Sequence, residues 1–359
     1  MNKDKAYIRN SIILVGIVMA ILFLKNAYKK DHIFSVETDL IHRYISDMSA
    51  DIDEYVDVKR NGDGTRLDQP EGILLKWPWK EWAEYYRIHI TSQTAETDFH
   101  LDCQEQQIGV YNLIPGIEYS YKIYGVTKEN KLRLVAAGKI NPSGRLRMIK
   151  IDSIYNVRDL GGWETESGKR VRYGRVFRGS EMNGFHNIVI DEAGMNLATD
   201  LLGITVDLDL RTEEESQGIT SSPLGSEVEY IRIPVNSYAD YDGSQSLEQI
   251  VDLLLDQETM YIHCWGGCDR TGTICWLLLG VLGVPEEELI KDYELSSFSI
   301  FGVRDSNSKE YLELKNKIDS YTGKTLQNKI ENYFIECGVS AKKIEQLRAT
   351  LLEERTTMD

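Results

Sequence analysis

The stretch Met260-Tyr-Ile-His-Cys-Trp-Gly-Gly-Cys-Asp-Arg-Thr-Gly-Thr273 predicts both a local fold and a chemistry. An apolar strand leads to Cys264, five residues follow, and Arg270 opens a strongly apolar helix. Backbone N–H groups at a helix N-terminus are unpaired and lie at the positive end of the helix dipole, so they bind anions. Gly266 and Gly267 allow the backbone to curl with its amides pointing inward. The stretch therefore predicts an anion-binding loop between a strand and a helix.

The same loop carries a nucleophile. In such a cradle the Cys264 thiol should ionise more readily than a free cysteine, and the thiolate can attack phosphorus. Arg270 provides a planar fork for two phosphate oxygens, and the Thr271 hydroxyl can hydrogen-bond the sulfur in a second step. His263 either supports the loop by hydrogen bonding or is an ordinary buried histidine. No metal or cofactor is required. The predicted phosphate-binding residues form one run: Trp265, Gly266, Gly267, Cys268, Asp269 and Arg270.

The segment HCWGGCDRTGT is similar to the signature loop of protein tyrosine phosphatases. Upstream, Tyr155-Asn-Val-Arg-Asp-Leu-Gly-Gly-Trp163 and Asp209-Leu-Arg211, followed by Glu213 to Glu215, resemble the bacterial tyrosine/serine branch of that family. The resemblance covers about residues 150–350. It implies an α/β domain with a central, mostly parallel sheet flanked by helices, a cysteinyl-phosphate intermediate, and assistance to catalysis from Asp269.

One position departs from the branch. Its loops usually carry a lysine where this chain has Cys268, and that lysine is associated with phosphoinositide recognition. The departure favours a phosphotyrosine or dual-specificity protein phosphatase over a phosphoinositide or inositol phosphate phosphatase. Cys268 itself could form a disulfide with an oxidised Cys264, or simply fill the loop wall as a small residue.

The general acid is less well defined. Asp240 and Asp242 lie on a small-residue loop before the nucleophile, where a mobile acid loop is expected, but they could equally be solvated carboxylates. Asp209 is a further candidate for the acid, although it and Arg211 are expected to form a structural pair at a strand end. Three further charged residues could line the pocket or hold two loops together: Arg158, Asp159 and Arg178.

Charge and cysteine content limit the other possibilities. The formal net charge is −16 although residues 1–30 are basic, so the body of the chain is acidic and nucleic acid is excluded as a partner. Five cysteines are too few for a disulfide-stapled domain and leave the compartment open. Cys275, within an apolar run, is expected to be a buried small hydrophobe.

The chain divides into four predicted regions. Residues 1–30 contain the apolar run Ser11–Leu24 and predict an uncleaved membrane anchor, with a cleaved export signal or an interfacial helix as alternatives. The body is expected outside the cytoplasm. Residues 31–52 predict a helical stalk. Residues 53–144 show short β-rich runs and predict a β-sandwich, with a resemblance to fibronectin type III modules at Leu113–Tyr119.

Residues 145–359 form the predicted catalytic domain, in which strand and helix patterns alternate. Strands are predicted in ITVDLDL and EYIRIPV, and helices at 191–202, 247–255 and 273–282, with two more near the C-terminus. In the sandwich region, Trp77, Trp79 and Trp82 are expected to be core or edge aromatics. The predicted substrate is a phosphorylated protein or a small phosphate ester. A silent phospho-binding or adhesion module is the competing class, and the intact loop disfavours it. Sulfurtransferases and arsenate reductases also use such loops, but the flanking motifs disfavour them.

Overall fold

The computed structural model describes residues 32–56, 65–236, 238, 241–256 and 258–354. Chain contacts divide these residues into two compact units. Unit 1 comprises the described residues up to 34 together with 73–110 and 116–143, and unit 2 comprises those from 35 to 72, 111–115 and from 144 onward. The chain therefore passes between the units several times.

Unit 1 is built from antiparallel strands. Its elements are β1 (His32–Ser35, which ends at the boundary with unit 2), β2 (Ile73–Lys76), β3 (Tyr85–Ser92), β4 (Thr97–Cys103), β5 (Gln107–Val110), β6 (Tyr119–Val126) and β7 (Leu132–Ser143). The five-stranded sheet has the order β1-β7-β6-β3-β4, and β2 pairs with β5 in a second sheet. Alternate residues of β3 are buried, as the period of two in the sequence predicts.

The three tryptophans of this unit differ in their surroundings. Trp77 is buried and packs edge-on against Tyr86 at 5.3 Å between ring centroids. Trp82 is partly buried beneath the guanidinium of Arg133, whereas Trp79 is exposed. They occupy core and edge positions.

Unit 2 contains a mostly parallel sheet. Its strands are β8 (Arg158–Asp159), β9 (Lys169–Val171), β10 (Val176–Gly179), β11 (Val206–Asp209), β12 (Glu229–Arg232), β13 (Met260–His263) and β14 (Leu352–Glu354). The sheet has the order β12-β11-β13-β10-β8, in which only the β8–β10 pair is antiparallel, and β9 pairs with β14 separately. In the parallel register, His263 lies beside Gly179 on one side and Asp209 on the other. The carboxyl ends of β10, β11 and β13 therefore meet at one edge.

Helices cover this sheet. They are α1 (Asp39–Ser46), α2 (Glu192–Asn196), α3 (Leu247–Leu255), α4 (Asp269–Leu282), α5 (Glu286–Glu294), α6 (Lys309–Asp319), α7 (Leu326–Glu336) and α8 (Ala341–Leu351). Neighbouring residues of β10, Val176 and Phe177, belong to two different hydrophobic clusters, so the sheet separates two layers of core. Twelve consecutive residues of α4 are buried, which makes it the central helix.

The region predicted as a stalk differs from that expectation. Residues 32–35 are a strand, and α1 begins only after Thr38, whose hydroxyl accepts a hydrogen bond from the Ile41 amide. Ile41, Tyr44 and Ile45 are buried in the core of unit 2. The described residues of 53–72, predicted as the start of the sandwich, also belong to unit 2. The apolar face that we attributed to an exposed stalk is core surface, because sequence periodicity does not specify what covers a helix.

The membrane anchor predicted for residues 1–30 lies outside the described residues. Among the described residues, no helix is both long enough and apolar enough to cross a membrane.

Candidate active site

The predicted loop connects β13 to α4 at the carboxyl edge of the sheet, and the surrounding scaffold holds its carbonyl groups. The Glu181 amide donates to the Trp265 carbonyl at 2.8 Å. The Asn156 side chain donates to the Gly266 carbonyl at 3.1 Å, and Arg178 donates to that of Gly267 at 2.8 Å. In the described part of the chain, the N–H groups of residues 265–268 make no backbone hydrogen bond. With the carbonyls engaged on one side, the amides are left for an anion on the other.

Gly267 is required by the path of this loop. Its φ is +69°, and a Cβ there would lie 2.2 Å from the carbonyl oxygen of Gly179. The Cys264 side chain that opens the loop is buried, with 3% of its residue surface exposed. Any residue other than glycine at position 267 would therefore clash with the end of β10.

A buried cluster of charged side chains supports the loop through Arg178, which binds the Gly267 carbonyl. Asp292 accepts hydrogen bonds from Arg158 at 3.1 Å and from Arg178 at 2.6 Å. Arg158 also donates to the Asn156 side-chain oxygen at 2.7 Å. Asp159 pairs with Arg147 at 3.1 Å and caps two backbone amides of the neighbouring turns. Arg158, Asp159 and Arg178 thus hold loops together, which is one of the two roles expected for them.

A second buried cluster lies at the end of β11. Arg211 makes two hydrogen bonds to Asp209, at 2.9 and 2.7 Å, and a third to Glu181 at 2.6 Å. This arrangement agrees with the expected structural pair at the strand end. Glu181 is the same residue whose amide holds the Trp265 carbonyl. The pair therefore fixes the segment that braces the loop.

His263 is enclosed by carboxylates. Its Nε2 lies 3.0 Å from Asp207 and its Nδ1 4.0 Å from Asp209, while Nδ1 also lies 3.1 Å from the Cys264 carbonyl oxygen. Burial alone would lower the pKa of His263, but the two carboxylates outweigh it and raise the pKa to about 9. The ring is therefore an imidazolium at neutral pH, and it can donate to the loop.

Arg270 is oriented by a carboxylate. Its two terminal nitrogens bind the two oxygens of Glu215 at 2.5 and 2.8 Å, a bidentate pair. The hydrogen bonds from Arg270 lower the pKa of Glu215 to about 2, so the partner is ionised. Thr271 follows with a buried hydroxyl that has no hydrogen-bond partner among the described residues. That hydroxyl is available to a bound group.

Asp269 contacts a residue that the sequence did not single out. Arg304 donates to its two oxygens at 2.6 and 3.0 Å, and the Tyr238 hydroxyl donates at 2.5 Å. Burial opposes ionisation of Asp269, yet the hydrogen bonds and charge of Arg304 lower its pKa. The carboxylate is therefore ionised and fully engaged.

A pocket of about 440 Å³ adjoins the loop. Loop residues form one wall and the segment from Ile300 to Arg304 forms another. Trp265 is 45% exposed, and its ring contacts Phe301 at 5.8 Å and His186 at 4.6 Å. The Cys268 thiol forms part of the wall, donates to the Gly266 carbonyl, and has a pKa raised by burial to about 12. Two aromatic rings, those of Trp265 and Phe301, thus line the pocket beside the loop.

Of the two general-acid candidates before the loop, the structure describes Asp242 but not Asp240. Asp242 is exposed, and its carboxylate caps a short 3₁₀ helix by accepting from the Ser244 amide at 3.0 Å. No cluster of metal-binding side chains occurs in the described parts of the chain. Among the described residues, Asp242 makes no hydrogen bond or ion pair with the loop.

Several supporting residues were missed by reasoning from sequence. Four residues contact the loop or the arginines around it from up to 134 positions away in the sequence: Asp292, Arg304, Tyr238 and Glu181. Glu215 was noted only as part of a motif. Asp292 stands among other charged residues in Glu286–Glu294, so the sequence contains no signal that distinguishes it.

Known proteins resemble this chain in sequence over its C-terminal part. The sequence profile of the tyrosine phosphatase family matches residues 149–353. A predicted tyrosine-protein phosphatase of Cupriavidus necator is 25% identical over 179 residues, which are 40% of this chain and 61% of that protein. A tyrosine-protein phosphatase of Nostoc commune is 27% identical over 126 residues, 28% of this chain and 43% of the relative. The chain thus spans less than two thirds of either curated relative.

Solved structures give weaker similarity. The structure of PTPMT1 in complex with PI(5)P aligns with a TM-score of 0.31 and 13% identity, covering 45% of this chain and 94% of that one. The phosphatase SIW14 from S. cerevisiae aligns with a TM-score of 0.27 and 13% identity, covering 47% and 88%. These scores are too low to support an argument.

Proposed function

This chain belongs to the tyrosine phosphatase family, and from that premise we propose that it is a phosphatase that hydrolyses phosphotyrosine in proteins through a phosphocysteine on Cys264. The observation that carries the proposal is the loop itself. Its carbonyls are bound by the scaffold, its amides are left for an anion, and a guanidinium held by a carboxylate stands at its end.

The proposed reaction has two steps. The Cys264 sulfur attacks phosphorus in line, the ester P–O bond breaks, and the leaving oxygen takes a proton from an acid. Water then attacks the phosphocysteine, the S–P bond breaks, and inorganic phosphate leaves. Arg270 and the loop amides stabilise the charge on the transferring group in both steps. The Thr271 hydroxyl, which is buried and has no partner among the described residues, donates to the leaving sulfur in the second step of this proposal. Asp240 and Asp242 both stay candidates for the acid.

Two features of the pocket support an aryl ester as the substrate. Exposed Trp265 and the ring of Phe301 provide apolar surface beside the loop. The Arg304 guanidinium on the wall is paired with Asp269, so it does not present an unneutralised charge to the additional phosphates of an inositol headgroup. Phosphotyrosine fits such a pocket better than a phosphoinositide.

Enzyme assays test the proposal. Wild-type protein should hydrolyse 4-nitrophenyl phosphate and tyrosine-phosphorylated peptides, and Cys264→Ser should lose that activity by several orders of magnitude. Cys103→Ser, which alters a cysteine of unit 1, should retain full activity. Equal rates for wild type and Cys264→Ser would reject the mechanism. Preferential hydrolysis of phosphoinositides in lipid vesicles over phosphopeptides would reject the substrate.

We also propose that unit 1 is a fibronectin type III-like module and that residues 1–30 anchor the chain in a membrane, with the catalytic unit outside the cytoplasm. The support for the module is an antiparallel sheet in which β3, β6 and β7 are adjacent, with β2 and β5 paired separately. The support for the anchor is the apolar run between basic residues. Membrane fractionation of the full chain and of a chain lacking residues 1–30 tests the anchor. Recovery of both in the soluble fraction would reject it.

A further inference from the structure

Asp269 is bound in a way that conflicts with a role as proton donor. Both of its oxygens accept from the Arg304 guanidinium, and one of them also accepts from Tyr238. The Tyr238 hydroxyl is backed in turn by the Tyr293 hydroxyl at 3.2 Å. Arg270, the next residue in the chain, adds a second positive charge close by. A carboxylate that accepts charge-assisted hydrogen bonds at both oxygens is stabilised in its ionised form.

The remaining donors of Arg304 organise the segment that precedes it. Its Nη1 donates to the carbonyl oxygens of Phe301 at 2.9 Å and Gly302 at 3.2 Å. A guanidinium that binds its own turn on one side and Asp269 on the other attaches that turn to the phosphate loop. The position of the turn therefore depends on the Asp269 carboxylate.

The attached turn carries a wall of the pocket. Phe301 lies so close to the loop that a Cβ on Gly266 would be 2.9 Å from its ring. The same ring contacts Trp265 at 5.8 Å and Tyr155 at 6.1 Å, both edge-on. These contacts place Phe301 against the loop, where it lines the pocket together with Trp265.

We propose that Asp269 is a positioning residue whose carboxylate binds Arg304 and so holds Phe301 as a wall of the substrate pocket, while another group protonates the leaving oxygen. The inference rests on the proposed phosphatase function and deepens it. It assigns Arg304 and Phe301 to substrate recognition, and it separates Asp269 from the acid step that its family resemblance suggests.

Two substrates of similar size distinguish the roles. The 4-nitrophenolate ion leaves without a proton, whereas phenolate needs one, so loss of a general acid slows phenyl phosphate far more than 4-nitrophenyl phosphate. We expect Asp269→Asn and Arg304→Met to lower kcat/KM for both substrates by the same factor, mainly through KM. We also expect Asp269→Asn to retain the basic limb of the pH profile. Arg304→Lys, which keeps a charge, should recover part of the loss.

A different pattern would overturn the inference. If Asp269→Asn lost roughly 100-fold or more on phenyl phosphate alone and Arg304→Met did not, Asp269 would be the proton donor. Lys309→Met removes an exposed cation five residues after Arg304 and serves as the matched control, with wild-type kinetics expected. An inactive wild-type protein would refute the proposed function instead.

Hydrogen exchange tests the attachment without any turnover. The backbone amides of residues 300–304 should exchange faster in both Asp269→Asn and Arg304→Met than in wild type or Lys309→Met. Unchanged exchange in both variants would overturn the inference even if the enzyme were inactive.

Discussion

His263 places a positive charge inside the sheet, at the residue before Cys264. The side chain is buried, its Nε2 is 3.0 Å from Asp207, and the aspartates come from the neighbouring strand β11. A buried charge is tolerated only where partners compensate for lost hydration. The base of the active site is therefore an ionic cluster whose stability must depend on pH.

The pH dependence has a definite sign. The pKa of His263 rises from 6.5 in the unfolded chain to about 9 in the folded protein, because Asp207 and Asp209 outweigh the effect of burial. The group stabilises the fold fully below pH 6.5, and that stabilisation is lost as the pH rises through 9. We predict that this contribution to the free energy of unfolding falls by roughly 3 kcal/mol over that window.

Urea unfolding at a series of pH values measures the effect. His263→Gln should lack the decline, whereas His100→Gln, which changes an exposed histidine of unit 1, should retain it. Parallel pH curves for wild type and His263→Gln would contradict the prediction.

Glu215 should matter for catalysis because it orients the Arg270 fork. Replacing it with glutamine removes the charge and one of the two acceptor oxygens of the bidentate pair. A hydrogen bond to a charged group contributes about 1.5–3 kcal/mol, so we predict a fall in kcat of about 10- to 100-fold with 4-nitrophenyl phosphate. Glu213→Gln, two residues earlier and exposed, is the control and should be unaffected. Equal kinetics for both variants would show that Arg270 needs no carboxylate partner.

The strand, loop and helix around Cys264 depend on one backbone crossing. Gly267 has a φ of +69° and lies against the Gly179 carbonyl, whereas Gly168 has a φ of +81° with open space around it. Alanine at either position meets the left-handed backbone, at a cost of about 1–2 kcal/mol. Only at Gly267 does the added Cβ also collide with backbone.

We therefore predict that Gly267→Ala loses phosphatase activity and vanadate binding, while Gly168→Ala loses only stability. Thermal melting and kcat/KM measured on both variants test this difference. Similar activities for the two alanine variants would mean that the loop can move away from β10 without consequence.

The segment between β1 and β2 contributes α1 to unit 2. Tyr44 in α1 is buried, donates a hydrogen bond to Glu294, and lies beneath the Lys291 ammonium at 3.9 Å. Between those two residues, α5 carries Asp292, which binds both arginines below the loop. The packing of Tyr44 in α1 thus stabilises α5, the helix that carries Asp292.

Tyr44→Ala should accordingly destabilise unit 2. Removing a large buried aromatic side chain costs roughly 3–5 kcal/mol, and here it also removes the hydrogen bond to Glu294 Oε2. Loss of activity in increasing urea reports on unit 2 specifically, and its midpoint should fall clearly. Met48→Ala, two residues after the end of α1 and exposed, should leave the midpoint unchanged. No change in either variant would show that α1 is dispensable.

The sequence alone was sufficient for features that depend on local chemistry. The run from Met260 to Thr273 predicted the strand, the glycine turn and the helix, and α3 was predicted at its observed bounds, Leu247–Leu255. The pairing of Asp209 with Arg211 was also predicted, because two residues separated by one position at a strand end can reach each other. Periodicity, glycine conformations and short-range charge pairs are encoded within a few residues.

Other features depended on tertiary packing. Three hydrogen-bonded pairs join residues that are 35 to 250 positions apart in the sequence: Asp292 with Arg178, Arg304 with Asp269, and Tyr44 with Glu294. For the same reason, α1 was predicted as an exposed stalk although it belongs to the core of unit 2. An apolar helix face or a charged residue that is read from a sequence indicates only that the folded protein must supply a packing or ionic partner. Which partner satisfies it is decided when strand register and helix packing bring distant residues together.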